Sequence, residues 1–255
     1  MRQITFRGGK LPARHDPKNP RLGKYLLTPL PAAPTEVSWG SKVADWLMLG
    51  NDEVGDCTCA AVAHGEMDFT SNASTEFVPD TADVLSMYSA ITGYDPNAAS
   101  DADGNNPTDT GADMGTVCKY WNATGLCGRK ITAFSEIDIA NQNHIMLAVA
   151  LLGGVYLGVQ LPQSAMDAFN SEQPWTDVMD QNIVGGHAVW IVGYNANGVT
   201  LVTWGQTVQA TWDWIATYAD EAFAVAAPDW EEQSGISPSG INIQQMVADC
   251  QSLGA

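Results

Sequence analysis

The hydrophobic period changes once along this chain, and that change limits the folds open to it. Up to about residue 153, apolar residues recur three and four apart in runs such as "CTCAAVAHGEMDF", "DTADVLSMYSAITG", "DMGTVCKYWNATGLCG" and "HIMLAVALLGG". Beyond it, "VYLGVQL", "HAVWIVGY" and "VTLVTW" are rich in β-branched and aromatic residues, and "NANG" between the last two is a hairpin signal. Gly125 and the Gly153–Gly154 pair stop the third and fourth helical runs. Helices lead and strands follow, which predicts an α+β fold with a helical half packed on a sheet half.

The expected organisation has three parts. Residues 1–45 are Pro- and Gly-rich and weakly periodic, an extended arm that wraps the domain. Residues 46–255 form the domain: a helical lobe over about 46–145, a β lobe over about 146–230 and a helical tail over 231–255. Between helices, "YDPNAASDADGNNPTDTGADMG" reads as a long surface loop. It fails as a calcium loop, because counting from Asp101 the sixth and twelfth positions are Asn106 and Ala112 rather than Gly and Glu.

Charge and composition remove several function classes. Eleven basic against 29 acidic residues give a net charge of -18, which repels phosphate backbones and argues against nucleic acid as a partner. No apolar run is long enough to span a membrane, and the start lacks the apolar segment and cleavage site of a secretory signal, so the expectation is a cytoplasmic protein. The basic residues gathered in the arm could dock on an acidic protein neighbour. Five cysteines in a chain without export features argue against a disulfide framework. Structural zinc favours spacings such as C-x2-C, which neither Cys57-x-Cys59 nor Cys118-x8-Cys127 offers. No pattern asks for a cofactor.

Cys57 and Cys59 stand where a Gly- and Asp-rich loop gives way to a helical run, with Asp56 at the expected cap. Residues two apart on a helix point to nearly opposite faces, so one of the pair belongs to the core. At a helix start, the dipole and free N–H groups favour a Cys57 thiolate, which the charge of Asp56 opposes. From these residues alone, Cys57 is a nucleophile or a buried helix start. A nucleophile needs a base within reach. His64 lies seven residues further along the helix, roughly 10 Å at 1.5 Å per residue, and is too far. His15 and His144 sit in polar surroundings and read as exposed, which leaves His187 at the head of "HAVWIVGY".

Taken together, these stretches resemble the papain-like cysteine peptidases. "LPAAPTEVSWGSKVADWLMLGNDEVGDCTCAA" is similar to that family's N-terminal segment, with Trp39 in its Trp position, Asn51 six residues before Cys57, and Cys57 opening the central helix. "GGHAVWIVGY" resembles the strand carrying the catalytic His, and "VTWG" the segment after it. "NDEVGDCT", "GGHAV" and "VTWGQ" also resemble proteins of actinobacteria and their phages. The resemblance implies a papain-like fold in which Cys57 is the nucleophile, His187 the base, and Asn51 with the Cys57 backbone N–H the oxyanion donors. The family's His-orienting Asn falls on Val202 counted from Trp204 and on Thr203 counted from His187, so that Asn is missing. Thr203 and Gln206 are the candidates to replace it. About 45 residues before the core are too few for the family's usual helical pro-region, so no inhibitory propeptide is expected.

Three activities follow from the resemblance. The first is a cysteine hydrolase acting on a peptide or amide through an acyl-enzyme. The second is a catalytically silent papain-like fold serving as a structural or interaction protein, for instance in a phage particle. The third is acyl transfer to an amine, of the transglutaminase type.

Overall fold

The computed structural model describes residues 8–29, 32–73, 75–230 and 241–253. The predicted helical tail therefore lies partly outside the described residues. After a two-residue strand β1 (Val37–Ser38) come helices α1 (Cys57–Ala73), α2 (Thr81–Thr92) and α3 (Met114–Ala123). Strand β2 (Ala133–Glu136), α4 (Gln142–Leu152), β3 (Val155–Pro162) and α5 (Gln163–Asn170) follow. The rest comprises β4 (Ile183–Asn195), β5 (Gly198–Thr203), β6 (Gln206–Thr211), α6 (Trp212–Tyr218), β7 (Ala219–Ala226) and α7 (Ile243–Ser252). This is the α+β class.

The helix ends obey local chemistry. Asp80 and Asp83 form a reciprocal capping box on α2, while Asp113 and Asn141 accept backbone N–H groups at the starts of α3 and α4. Gly93 and Gly153 close α2 and α4 in the left-handed conformation, with φ of 80° and 89°.

The strands make one antiparallel sheet in the order β2-β7-β3-β4-β5-β6, and β1 pairs with the far end of β4. α1 packs on β4 as the central helix. Of its 17 residues, all but Ser71 and Ala73 are buried, so it is wrapped rather than amphipathic. A helix buried all round must satisfy its polar side chains internally. Trp121 Nε1 donates to Glu66 (2.7 Å), Trp190 Nε1 donates to Asp68 (3.0 Å), and Asn72 donates to Asp68 (3.0 Å). Gly65 allows this packing, because a Cβ there would fall 3.2 Å from the Trp121 and Trp190 rings. These contacts fix the second half of α1 against α3 and the middle of β4.

No helix among the described residues is long and apolar enough to cross a membrane.

Candidate active site

Cys57 is the first residue of α1 and 1% exposed. The loop leading to it turns through Leu47, Leu49 and Gly50, all with positive φ (55°, 60° and 93°), and ends where the Asp56 carbonyl accepts the N–H groups of Cys59 and Ala60 (2.8 and 3.0 Å). The loop is anchored from outside by Asp109, which accepts from the Gly55 N–H (2.9 Å) and the Tyr88 hydroxyl (2.7 Å). Asp109 came from a stretch that reads as a plain solvated loop, and nothing in its spacing marks the anchor.

The backbone groups of Ala188 and Thr58 hydrogen-bond to the Cys57 sulfur. Ala188 directly follows His187 on β4, so the backbone next to the base candidate lies against the Cys57 sulfur at the start of α1. His187 is fully buried, and its Nε2 lies 2.7 Å from Thr203 Oγ1. The Trp204 indole stacks on the imidazole, with centroids 4.4 Å apart and planes 16° off parallel. Thr203 is thus the side chain bonded to His187, while Gln206 pairs with it across the β5–β6 hairpin and lines a shallow surface pocket with Thr207 and Val192.

Asn51 is buried, and its amide donates to Asp56 Oδ1 (3.3 Å) and the Val54 carbonyl (3.5 Å). Burial raises the Asp56 carboxyl well above the usual carboxylate range, and any charge it carries raises the neighbouring Cys57 thiol. His64 is also buried; its Nε2 lies 3.2 Å from the Leu47 carbonyl, and burial lowers it to about 4. It belongs to the core. Among the described residues no cluster of His, Cys, Asp and Glu could hold a metal ion.

The arm runs over this site. Lys10 N–H donates to the Gly186 carbonyl (3.2 Å), Leu11 N–H to the Ala112 carbonyl (3.0 Å), and Ala112 N–H to the Gly9 carbonyl (2.8 Å). Residues 9–11 therefore lie as a short strand between the segment before His187 and the segment at Gly111–Ala112. Gly9 covers the sulfur so closely that a Cβ on it would fall 2.8 Å from Cys57 Sγ and 2.5 Å from the Gly55 carbonyl. Gly111 is equally confined, since its Cβ would fall 2.7 Å from the Gly9 carbonyl. The Lys10 side chain is fully buried, with Nζ 2.9 Å from Asp220 and 3.0 Å from Glu221. Under this cover, burial pushes the Cys57 thiol up to about 12 and the His187 imidazole down to about 3, so both are neutral.

The sequence signal for this contact was the "GGK" at 8–10: two residues without side chains, then a cation. No helix is needed for this contact: a segment of three extended residues covers the sulfur.

No family model matches the sequence, and no curated protein matches it. Solved structures do. Xylellain, a cysteine protease from Xylella fastidiosa, superposes with a TM-score of 0.66 at 16% identity, over 89% of this chain and 98% of that one. The cysteine protease and lectin-like domains of Cwp84, a surface layer associated protein of Clostridium difficile, give 0.58 at 10% identity, covering 88% of this chain and 57% of that one. Digestive procathepsin L 3 from Tenebrio molitor larval midgut gives 0.55 at 13% identity, over 88% and 76%. The chain has a papain-like fold.

Proposed function

We propose that the chain is a papain-like cysteine hydrolase, acting on peptides or amides, that its own arm holds closed. The observation that carries this reading is the meeting at the start of α1. The Cys57 sulfur is bonded by the backbone beside His187, and His187 is itself fixed by Thr203 and roofed by Trp204. With the Nε2 hydrogen donated to Thr203, Nδ1 is the basic nitrogen. Once the arm leaves, water reaches the pair, and the thiol can pass its proton to Nδ1.

The sulfur then adds to the substrate carbonyl, whose oxygen takes the negative charge beside the Cys57 backbone N–H and the Asn51 amide. Collapse breaks the C–N bond, the leaving amine takes the proton from His187, and a thioester remains. Water, losing a proton to His187, hydrolyses the thioester to the acid and restores the thiol. Thr203 keeps the imidazole in one tautomer and orientation throughout.

The test is iodoacetamide alkylation of Cys57 in a Cys127→Ser background, since Cys127 is exposed. In the native chain the reaction is expected to be slow at pH 7 and to climb steadily as the pH rises, because the thiol is held protonated. Gly9→Val, whose side chain has no room over the sulfur, should speed it at least tenfold, and His187→Ala added to Gly9→Val should remove most of that gain. Equal rates with and without His187 would end the Cys-His mechanism.

The neutral, shielded pair also favours a second reading, a silent scaffold that serves as an interaction protein. It predicts that Gly9→Val exposes an ordinary thiol with no dependence on His187.

A further inference from the structure

We infer that the pocket filled by Lys10 is the recognition pocket for a basic side chain, and that peptides presenting lysine there are the substrate class. The inference rests on the hydrolase reading for the word substrate, but the pocket itself stands on geometry. The arm occupies the cleft as a bound peptide would, with its backbone paired to Gly186 and Ala112 and Gly9 over Cys57. The adjacent side chain, Lys10, is therefore the one whose surroundings report what the cleft accepts.

Those surroundings are built for a long cation. The Lys10 stem passes Gly158, where any Cβ would collide with Lys10 Cε and lie 2.7 Å from Met114 Sδ, so the passage admits an unbranched chain. At its end the ammonium meets Asp220 (2.9 Å), Glu221 (3.0 Å) and the Leu11 carbonyl (3.1 Å). Neighbouring residues on a strand ordinarily point to opposite faces. Here the β3–β7 register shifts between Gly158 and Val159, and the irregularity lets Asp220 and Glu221 of β7 converge on one cation. Gln160 Nε2 donates to the same Asp220 Oδ2 that Lys10 meets (2.5 Å).

Two adjacent carboxylates, largely buried at the end of a narrow passage, repel each other and lose hydration. A lysine relieves both costs. A neutral side chain of the same length relieves neither, and an acidic one adds to them. The direction in which a substrate runs does not alter this, because Gly158, Met114 and the two carboxylates belong to the domain.

Two labelled heptapeptides test the proposal. One has the sequence of residues 8–14, Gly-Gly-Lys-Leu-Pro-Ala-Arg, and the other carries norleucine for lysine. Their binding is measured to the full chain bearing Gly9→Val and Cys57→Ala, with Lys10→Ser replacing Gly9→Val if that variant does not fold. The lysine peptide is expected to bind at least about tenfold tighter, and Asp220→Asn with Glu221→Gln should abolish the difference. Equal binding of the two peptides overturns the pocket assignment. Amide substrates with lysine or norleucine at the same place are then offered to the chain carrying Gly9→Val alone. Cleavage without preference for lysine overturns the pocket and leaves the hydrolase standing. Tight lysine-dependent binding with no cleavage of any amide overturns the hydrolase and leaves the pocket.

Discussion

Trp204 holds φ at 46°, in the left-handed region that a bulky residue seldom adopts, and Gly205 beside it holds 75°. The two-residue turn between β5 and β6 has positive φ at both positions, as a type I′ turn does, and Trp204 adopts it while laying its indole on His187. The same turn decides the neighbour of the imidazole. Counting residues from two landmarks gave two answers for that neighbour, because the count depends on where the hairpin reverses; the bond goes to Thr203. Thr203→Val should lower kcat about tenfold to a hundredfold with little change in KM, and Thr203→Ser should restore it. A loss of soluble protein in both variants would instead make Thr203 a packing residue. Cys57 and His187 were legible as candidates, Cys57 because it opens the run that becomes α1 and His187 because it heads "HAVWIVGY", although β4 itself begins earlier, at Ile183. Lys10 and Glu221 could not, because they gain their meaning from each other across about two hundred residues, and neither could Asp109, whose partners Gly55 and Tyr88 lie 54 and 21 residues back in unrelated runs.

At the scale of elements, α1 buries two carboxyl groups that accept hydrogen bonds from Trp and Asn side chains. Burial raises Glu66 to about 7 and Asp68 to about 8. An unfolded chain releases these protons near pH 4, so above that value the folded state holds more protons than the unfolded one. The stability these groups contribute is complete below about pH 4 and is lost as the pH rises through their folded values, at up to about 1.4 kcal/mol per pH unit for each. Glu66→Gln keeps the Trp121 bond and removes one titration. Its denaturant midpoint relative to the native chain should therefore rise between pH 5 and pH 8, and a constant offset would contradict this. Gly154→Ala, whose added methyl collides with the Trp190 indole where β3 begins, should cost about 1–3 kcal/mol in urea unfolding. The four helical runs and three strands were legible from period and caps. β7, "ADEAFAVA", was not: alanine has little preference for strands, and the sheet's interior makes it one.

For the whole molecule, the arm is the part whose role changes most between sequence and structure. Its lack of period suggests an extended segment, yet period says nothing of where such a segment lies. What it lies on is set by glycines facing one another: Gly9 against the Gly55 carbonyl, and Gly111 against the Gly9 carbonyl. A cover joined to its own site by a short stretch of chain acts at an effective concentration on the order of millimolar. A free peptide of equal affinity at micromolar levels would then win the cleft only about once in a thousand encounters. Dilution cannot open an intact chain, but it can open one cut in the exposed stretch at residues 12–15, where the cover becomes a separate ligand. In the nicked protein, Cys57 alkylation should quicken as the sample is diluted, whereas in the intact protein it should not change. The molecule's readiness would then be independent of how much of it a cell contains, and set by the integrity of a single stretch of backbone.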